Sequence, residues 1–228
     1  MRNIFAVRRR GSGASVWNVL FWWTLTLWLM RLWMRICYKN RRFGMEHVPA
    51  SGPFIIAANH QSNFDPVIVG TVAHDRVYHS IARATLFNSK ILAWLMERYG
   101  VIAIHRGESD TKAIRRAIEV IKRGQGAMIF PEGTRTADGN IGEFQRGLWL
   151  LIKKTKVPVV PVGFDGAYDA WKIGTKPKVF GMIEVRVGKP FDGETLIEMG
   201  EEEGMRAIRD SIVQLHEECQ ASINQRLQ

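Results

Sequence analysis

A chain of 228 residues is long enough for one domain with a substantial core and leaves room for an appendage. Its formal charge is +10, yet residues 1–46 hold nine Lys/Arg against one acidic residue, while the rest hold 23 against 21. So neutral a body argues against a nucleic-acid binder, which carries its basic stripe on the folded domain. The two distant cysteines, Cys37 and Cys219, exclude a disulfide framework or a thiolate metal cluster and fit a reducing, cytosolic setting.

The chain opens on a basic, tryptophan-rich segment. Residues 11–30 are uncharged and residues 16–30 strongly apolar; Arg2, Arg8, Arg9 and Arg10 precede them, and Arg31, Arg35, Lys39, Arg41 and Arg42 follow. Trp17, Trp22, Trp23, Trp28 and Trp33 crowd the same window. Tryptophan and arginine suit the headgroup region of a bilayer, where each cation contributes about 1 kcal/mol against an anionic surface. A spanning helix needs about 20 apolar residues, so the stretch predicts either a short span or a helix lying in the interface. No small-x-small site follows, which argues against a removed secretory leader. Residues 1–46 are thus expected to anchor the chain to a membrane, and 47–228 to form the catalytic body.

After a basic linker at 38–42, apolar runs alternate with helical patterns. Residues 53–58 predict a buried strand, and Asp65-Pro66 a helix start with aspartate at the N-cap. Strands are expected at 76–82 and 101–105, with a helix over 86–98 between them. Ser109-Asp110 opens a helix whose Ile114, Ile118 and Ile121 share a face and which Gly124 stops. Residues 127–130 predict another buried strand, 147–154 a buried helix, and 157–164 and 179–187 the last strands. The two prolines of 157–162 suggest an edge or irregular strand. Met205, Ile208, Ile212, Leu215, Cys219 and Ile223 recur at three and four residues, an amphipathic closing helix. The alternation predicts an α/β fold, a mostly parallel central sheet flanked by helices.

In such sheets chemistry gathers at the carboxyl ends of the strands. His60 and Asp65 leave the first strand in Asn59-His60-Gln61-Ser62-Asn63-Phe64-Asp65. An imidazole takes a proton near neutral pH, and a carboxylate on its other nitrogen fixes the tautomer. Phe130-Pro131-Glu132-Gly133-Thr134-Arg135 leaves another strand: glycine permits a tight turn, and an arginine fork matches phosphate. Arg106 is a second candidate phosphate ligand. A bland alternative pairs Glu132 with Arg135 on the surface, where such a pair contributes little. A covalent route through Ser62 is conceivable but lacks a nucleophile elbow. His105 reads as a strand-end residue in preference to a second base, and His47, His74, His79 and His216 have no supporting context. No Walker loop or zinc spacing appears, so neither metal nor cofactor is expected.

Four stretches together resemble the ordered blocks of the glycerophospholipid acyltransferases: Asn59-His60-x-Ser62-x-x-Asp65, Gly100 through Arg106, Phe130 through Arg135, and Val157-Pro158-Val159-Val160-Pro161-Val162. The likeness runs over roughly residues 43–189 and is greatest to the bacterial 1-acylglycerol-3-phosphate (lysophosphatidic acid) acyltransferases. It implies transfer of a fatty acyl group from acyl-CoA or acyl carrier protein to the sn-2 hydroxyl of 1-acylglycerol-3-phosphate, giving phosphatidic acid. His60 would be the general base and Asp65 its orienting partner. Arg106 and Glu132, Gly133, Thr134 and Arg135 would meet the acceptor's glycerol phosphate. Arg83, where a lysine is frequent, would join them; Ile104-His105 and Thr136 also depart from the commoner pattern. The implied partners are a membrane phospholipid surface, the thioester donor and a lysophospholipid, with no nucleic acid. The implied location is the inner membrane, with the body on its cytoplasmic side. The departures keep glycerol-3-phosphate or a lyso-aminolipid open as acceptor, and a lipid esterase remains a rival.

Overall fold

Phe54-Ile55-Ile56-Ala57-Ala58 is apolar at every position, the pattern of a strand covered on both faces, and all five residues are buried. A computed structural model of the chain describes residues 21–73, 76–83, 94, 99, 101–104 and 110–228. Helix α1 (Leu27–Tyr38) follows a π-helical turn at Phe21–Thr26. Next come β1 (Arg41–Phe43), β2 (Phe54–Ala58), α2 (Asp65–Val72), β3 (Tyr78–Arg83) and β4 (Ile102–Ile104). Then follow α3 (Asp110–Lys122), β5 (Gly126–Ile129), α4 (Gly147–Thr155), β6 (Val159–Asp165) and α5 (Ala167–Ala170). The chain closes with β7 (Glu184–Val187), α6 (Gly193–Met199) and α7 (Glu201–Leu227).

The strands form one sheet in the order β1-β7-β6-β2-β5-β3-β4. Among the described strands only the β6–β7 pair is antiparallel; the other neighbours run parallel. Alternation along β2 divides the core. Phe54, Ile56 and Ala58 pack with α1 and α2 through Met34, Tyr38 and Ile68. Ile55 and Ala57 pack on the other face with α3, α4 and α7 through Ala117, Leu151 and Ile208. Helices therefore cover both faces of a largely parallel sheet, the layering such an alternation requires.

Several expectations need correction. The strand expected over 157–164, for which the two prolines suggest an edge or irregular course, is internal, since β6 pairs with both β2 and β7. Pro161 lies opposite the end of β7, where its carbonyl still accepts the Gly188 N–H at 2.9 Å. The strand expected over 179–187 begins only at Glu184, and Val179 and Phe180 are exposed at 67% and 71%. Within residues 1–46, Arg41–Phe43 pairs with β7, and Met34 and Tyr38 lie in the core. Among the described residues, no helix is long and apolar enough to cross a membrane. The helix expected over 86–98 lies outside the described residues, apart from Trp94.

Candidate active site

The β2 and β5 strands lie side by side and parallel, with Ala57 opposite Ile129. From β2 the chain proceeds to α2 on one face of the sheet, and from β5 to α4 on the other. Neighbouring strands whose connections part to opposite faces leave a crevice at their carboxyl ends. The residues after Ala58 and after Ile129 meet there, and they include both motifs singled out above.

His60 Nδ1 and Asp65 Oδ2 are 2.6 Å apart. The carboxylate side chain is fully buried, whereas the imidazole is 21% exposed. With Nδ1–H donating to the carboxylate, Nε2 keeps its lone pair for a proton. The ring stacks on Phe130, centroids 4.2 Å apart and planes 11° from parallel. Asp65 also accepts the backbone N–H groups of Gln61 and Ser62 at 2.6 and 2.7 Å. These residues precede it, so Asp65 is not the N-cap that Asp65-Pro66 suggested: its side chain turns back into the loop. The N–H groups of Val67 and Ile68 bond instead to the Phe64 carbonyl. Burial pushes the Asp65 carboxyl above its ordinary value, against the pull of the His60 hydrogen bond and the two backbone donors. Its Oδ1 is buried with no hydrogen-bond partner among the described residues, which is where the ionised form is least compensated.

The second motif is stitched to the first at His60 itself. The His60 N–H donates to Glu132 Oε1 at 2.7 Å, and its carbonyl accepts the Thr136 N–H at 2.8 Å. Glu132 Oε2 accepts the Gly142 N–H at 2.9 Å. Glu132 is thus a buried clamp with both oxygens engaged, and no surface pair with Arg135 forms. Burial raises its carboxyl too, opposed by those two backbone hydrogen bonds. Gly133 turns the chain at φ +70, with its N–H on the Phe130 carbonyl at 3.0 Å. Gly133 and Thr134 are exposed at the crevice. Arg135 is half-buried and donates through Nη1 to Asn63 Oδ1 at 2.9 Å, across from one loop to the other.

The remaining candidates divide. Ser62 is wholly buried, and its hydroxyl accepts the Phe64 N–H at 2.9 Å, so it braces the loop and faces no acceptor. Arg83 ends β3 two strands from His60, and its side chain lies outside the description; Arg106 and His105 lie outside the described residues. His216, without context in the sequence, is buried with Nδ1 2.9 Å from the Phe164 carbonyl. Two supporting residues were missed. Asn59 exchanges paired hydrogen bonds of 3.0 Å with the Phe164 backbone, locking the exit of β2 to β6. Gln61, 1% exposed, donates to Asp165 Oδ1 at 3.2 Å and accepts the Tyr168 N–H at 3.3 Å. The available signal was a run of amides directly after an apolar strand, where buried polar groups must find partners.

Among the described residues, no group of three or more His, Cys, Asp or Glu could hold a metal ion. A depression of about 550 Å³ lies between residues 143–146 and the start of α7, lined by Glu143, Phe144, Arg146, Met205 and Arg209. None of His60, Asp65 and Arg135 lines it, so the chemistry is assigned from the crevice and not from this hollow.

Residues 40–165 match the family model described as Acyltransferase. The chain is 31% identical over 173 residues to 1-acyl-sn-glycerol-3-phosphate acyltransferase BAT2, chloroplastic, of Brassica napus, covering 72% of this chain and 50% of that one. It is 23% identical over 183 residues to the 1-acyl-sn-glycerol-3-phosphate acyltransferase of Bacillus subtilis (strain 168), 80% of this chain and 89% of that one. It also superposes on the crystal structure of the 1-acyl-sn-glycerophosphate (LPA) acyltransferase PlsC from Thermotoga maritima with a TM-score of 0.74 and 25% identity. That alignment covers 86% of this chain and 80% of the other. The chain spans about half the length of its Brassica napus and Arabidopsis thaliana relatives.

Proposed function

Because this chain belongs to the acyltransferase family, we propose that it acylates the sn-2 hydroxyl of 1-acylglycerol-3-phosphate from a CoA or acyl-carrier-protein thioester, yielding phosphatidic acid. The observation that carries the mechanism is the 2.6 Å contact between a buried Asp65 and a partly exposed His60 at a crevice. His60 Nε2 takes the hydroxyl proton as the oxygen attacks the thioester carbonyl. The tetrahedral intermediate then expels the thiolate, which receives that proton from the imidazolium; an ester and a free thiol result. Asp65 holds Nδ1–H and stabilises the transient imidazolium. A positioned base contributes about 10²–10⁴-fold. Arg135 with Gly133 and Thr134 would form one wall of the phosphate site, and the family resemblance adds Arg83 and Arg106 to its ligands. A bound phosphate would compete with Asn63 for the Arg135 fork.

The chain would work at a membrane surface, with the body on the cytoplasmic side. Supporting the membrane contact is α1, whose Trp28, Leu29, Leu32 and Ile36 are 54%, 50%, 42% and 65% exposed, with Arg31 and Arg35 on the same helix. Such a helix suits the plane of the interface.

The test incubates the full chain in membranes with labelled acyl-CoA or acyl carrier protein and 1-acylglycerol-3-phosphate. Phosphatidic acid is the expected product, and His60→Ala should lose it while remaining folded and membrane-bound. Free fatty acid as the sole product would make the protein an esterase. Acylation of glycerol-3-phosphate or a lyso-aminolipid alone would move the acceptor.

A further inference from the structure

Residues 171–182, between α5 and β7, expose large apolar side chains on an ordered framework. Ile173, Val179 and Phe180 are 47%, 67% and 71% exposed. Trp171 Nε1–H donates to the Thr175 carbonyl at 2.9 Å, and the Thr175 N–H and hydroxyl both return to the Lys172 carbonyl at 3.2 and 2.9 Å. The Lys178 N–H donates to the Ala170 carbonyl at 2.8 Å. An ordered loop holding adjacent large apolar groups in water marks a contact surface.

Two features say what covers it. Residues 170–183 include Lys172, Lys176 and Lys178 and no acidic residue; Lys172 pairs with Asp169 at 3.8 Å, and Lys176 and Lys178 lie beside the apolar tip. That chemistry fits an anionic bilayer interface. The loop is also continuous with the apolar face of α1. Gly181 N–H donates to the Cys37 carbonyl at 3.1 Å and the Tyr38 hydroxyl to the Lys178 carbonyl at 2.6 Å, tying it to the helix end that carries exposed Ile36. Trp171 packs on Phe64 at 4.9 Å between ring centroids, and Phe64 on Trp33 at 5.8 Å. Phe64 belongs to the loop that carries His60.

We propose that residues 171–182 form a second membrane contact, distant in sequence from the N-terminal segment, in which Val179 and Phe180 enter an anionic bilayer and Lys176 and Lys178 meet its phosphates. The inference rests on the membrane association proposed above and extends it. Two contacts on one face fix the tilt of the body, and the aromatic rings between them set the His60 loop at the lipid surface.

The experiment is co-sedimentation of the full chain with two kinds of vesicle, phosphatidylcholine alone and phosphatidylcholine mixed with phosphatidylglycerol. Val179→Ser combined with Phe180→Ser should bind both at least about tenfold more weakly. Lys176→Gln combined with Lys178→Gln should lose about tenfold or more on the anionic vesicles only, and serves alone if the apolar variant does not fold. Turnover with a short-chain lysophosphatidate below its micellar concentration should stay unchanged in both. Wild-type binding retained by both double variants overturns this inference and leaves the earlier proposal standing. A wild-type chain that binds neither vesicle overturns the membrane association itself. A dimer in light scattering that the Val179/Phe180 variant abolishes would assign the face to a second copy, and overturns the inference too.

Discussion

The backbone N–H of His60 donates to Glu132 Oε1 at 2.7 Å, across 72 residues of sequence. Because Oε2 holds the Gly142 N–H, one side chain joins the base-bearing loop to the long connection that leads to α4. In the proposed reaction this makes Glu132 a positioning residue for His60.

Glu132→Gln keeps the shape but sets an amide N–H₂ against a backbone N–H, leaving a buried donor unsatisfied at about 1–3 kcal/mol. Misplacing a base by about 1 Å can lose about 10²-fold. We expect kcat to fall about ten- to hundredfold while the KM for lysophosphatidate stays within about threefold. Steady-state kinetics over acceptor concentration decides it: unchanged kcat with raised KM would make the carboxylate an acceptor ligand.

The same substitution has a pH signature. Burial raises the Glu132 carboxyl above its ordinary value, so the folded chain binds that proton more tightly than the unfolded chain does. The group's contribution is complete below the ordinary carboxylate range and is lost as pH rises through the raised value. Asp65, also raised by burial, acts in the same direction in wild type and variant. Urea denaturation between about pH 4 and 8 should therefore show the wild type's margin over Glu132→Gln narrowing as pH rises. A widening margin would mean that the two N–H donors outweigh the loss of hydration.

Ser62→Ala separates direct from covalent transfer. The hydroxyl of buried Ser62 accepts the Phe64 N–H at 2.9 Å in a partly buried hydrogen bond, so its loss should cost about 0.5–1.5 kcal/mol of stability. Turnover should remain within a few-fold of wild type. Loss of activity comparable to that of His60→Ala, in a folded protein, would point to an acyl-serine.

Gly163, in β6, lies directly under α7. A Cβ there would lie 2.5 Å from Leu215 Cβ and 2.6 Å from the His216 nitrogen. The obstruction is helix backbone, which cannot swing aside, so Gly163→Ala should force α7 outward at about 1–3 kcal/mol. The melting temperature should drop by about 2–12 °C. Calorimetry showing no change would mean that the helix is more loosely seated than these distances imply.

What could be read from the sequence follows from how local each interaction is. His60 and Asp65 lie in one loop, five residues apart, and their contact is local enough for spacing to suggest it. β2 was legible because both faces are buried and every residue is apolar. The clamp that Glu132 makes on His60 was not, because its partners are backbone N–H groups, which every residue carries and no composition reveals. Arg41–Phe43 read as a basic linker because three residues show no alternation; its pairing with β7 is set wholly by tertiary contact. The strand expected over 179–187 failed at its start, where Val179 and Phe180 have strand propensity but face outward. The short, lone Asp65-Pro66 signal named a helix start correctly and its capping wrongly, since the carboxylate had a better set of donors upstream.

β2 has neighbours along both edges, and Asn59 binds its exit to β6. The proposed reaction site is therefore held at the exit of a strand paired on both sides, whereas Gly133 and Thr134 sit in the open. Altering which lipid is accepted can proceed by exchanging outer loop residues, with the centre left alone. Relocating the proton-transfer point would mean unzipping the middle of the sheet, so descendants of this architecture should diversify in substrate far more readily than in chemistry.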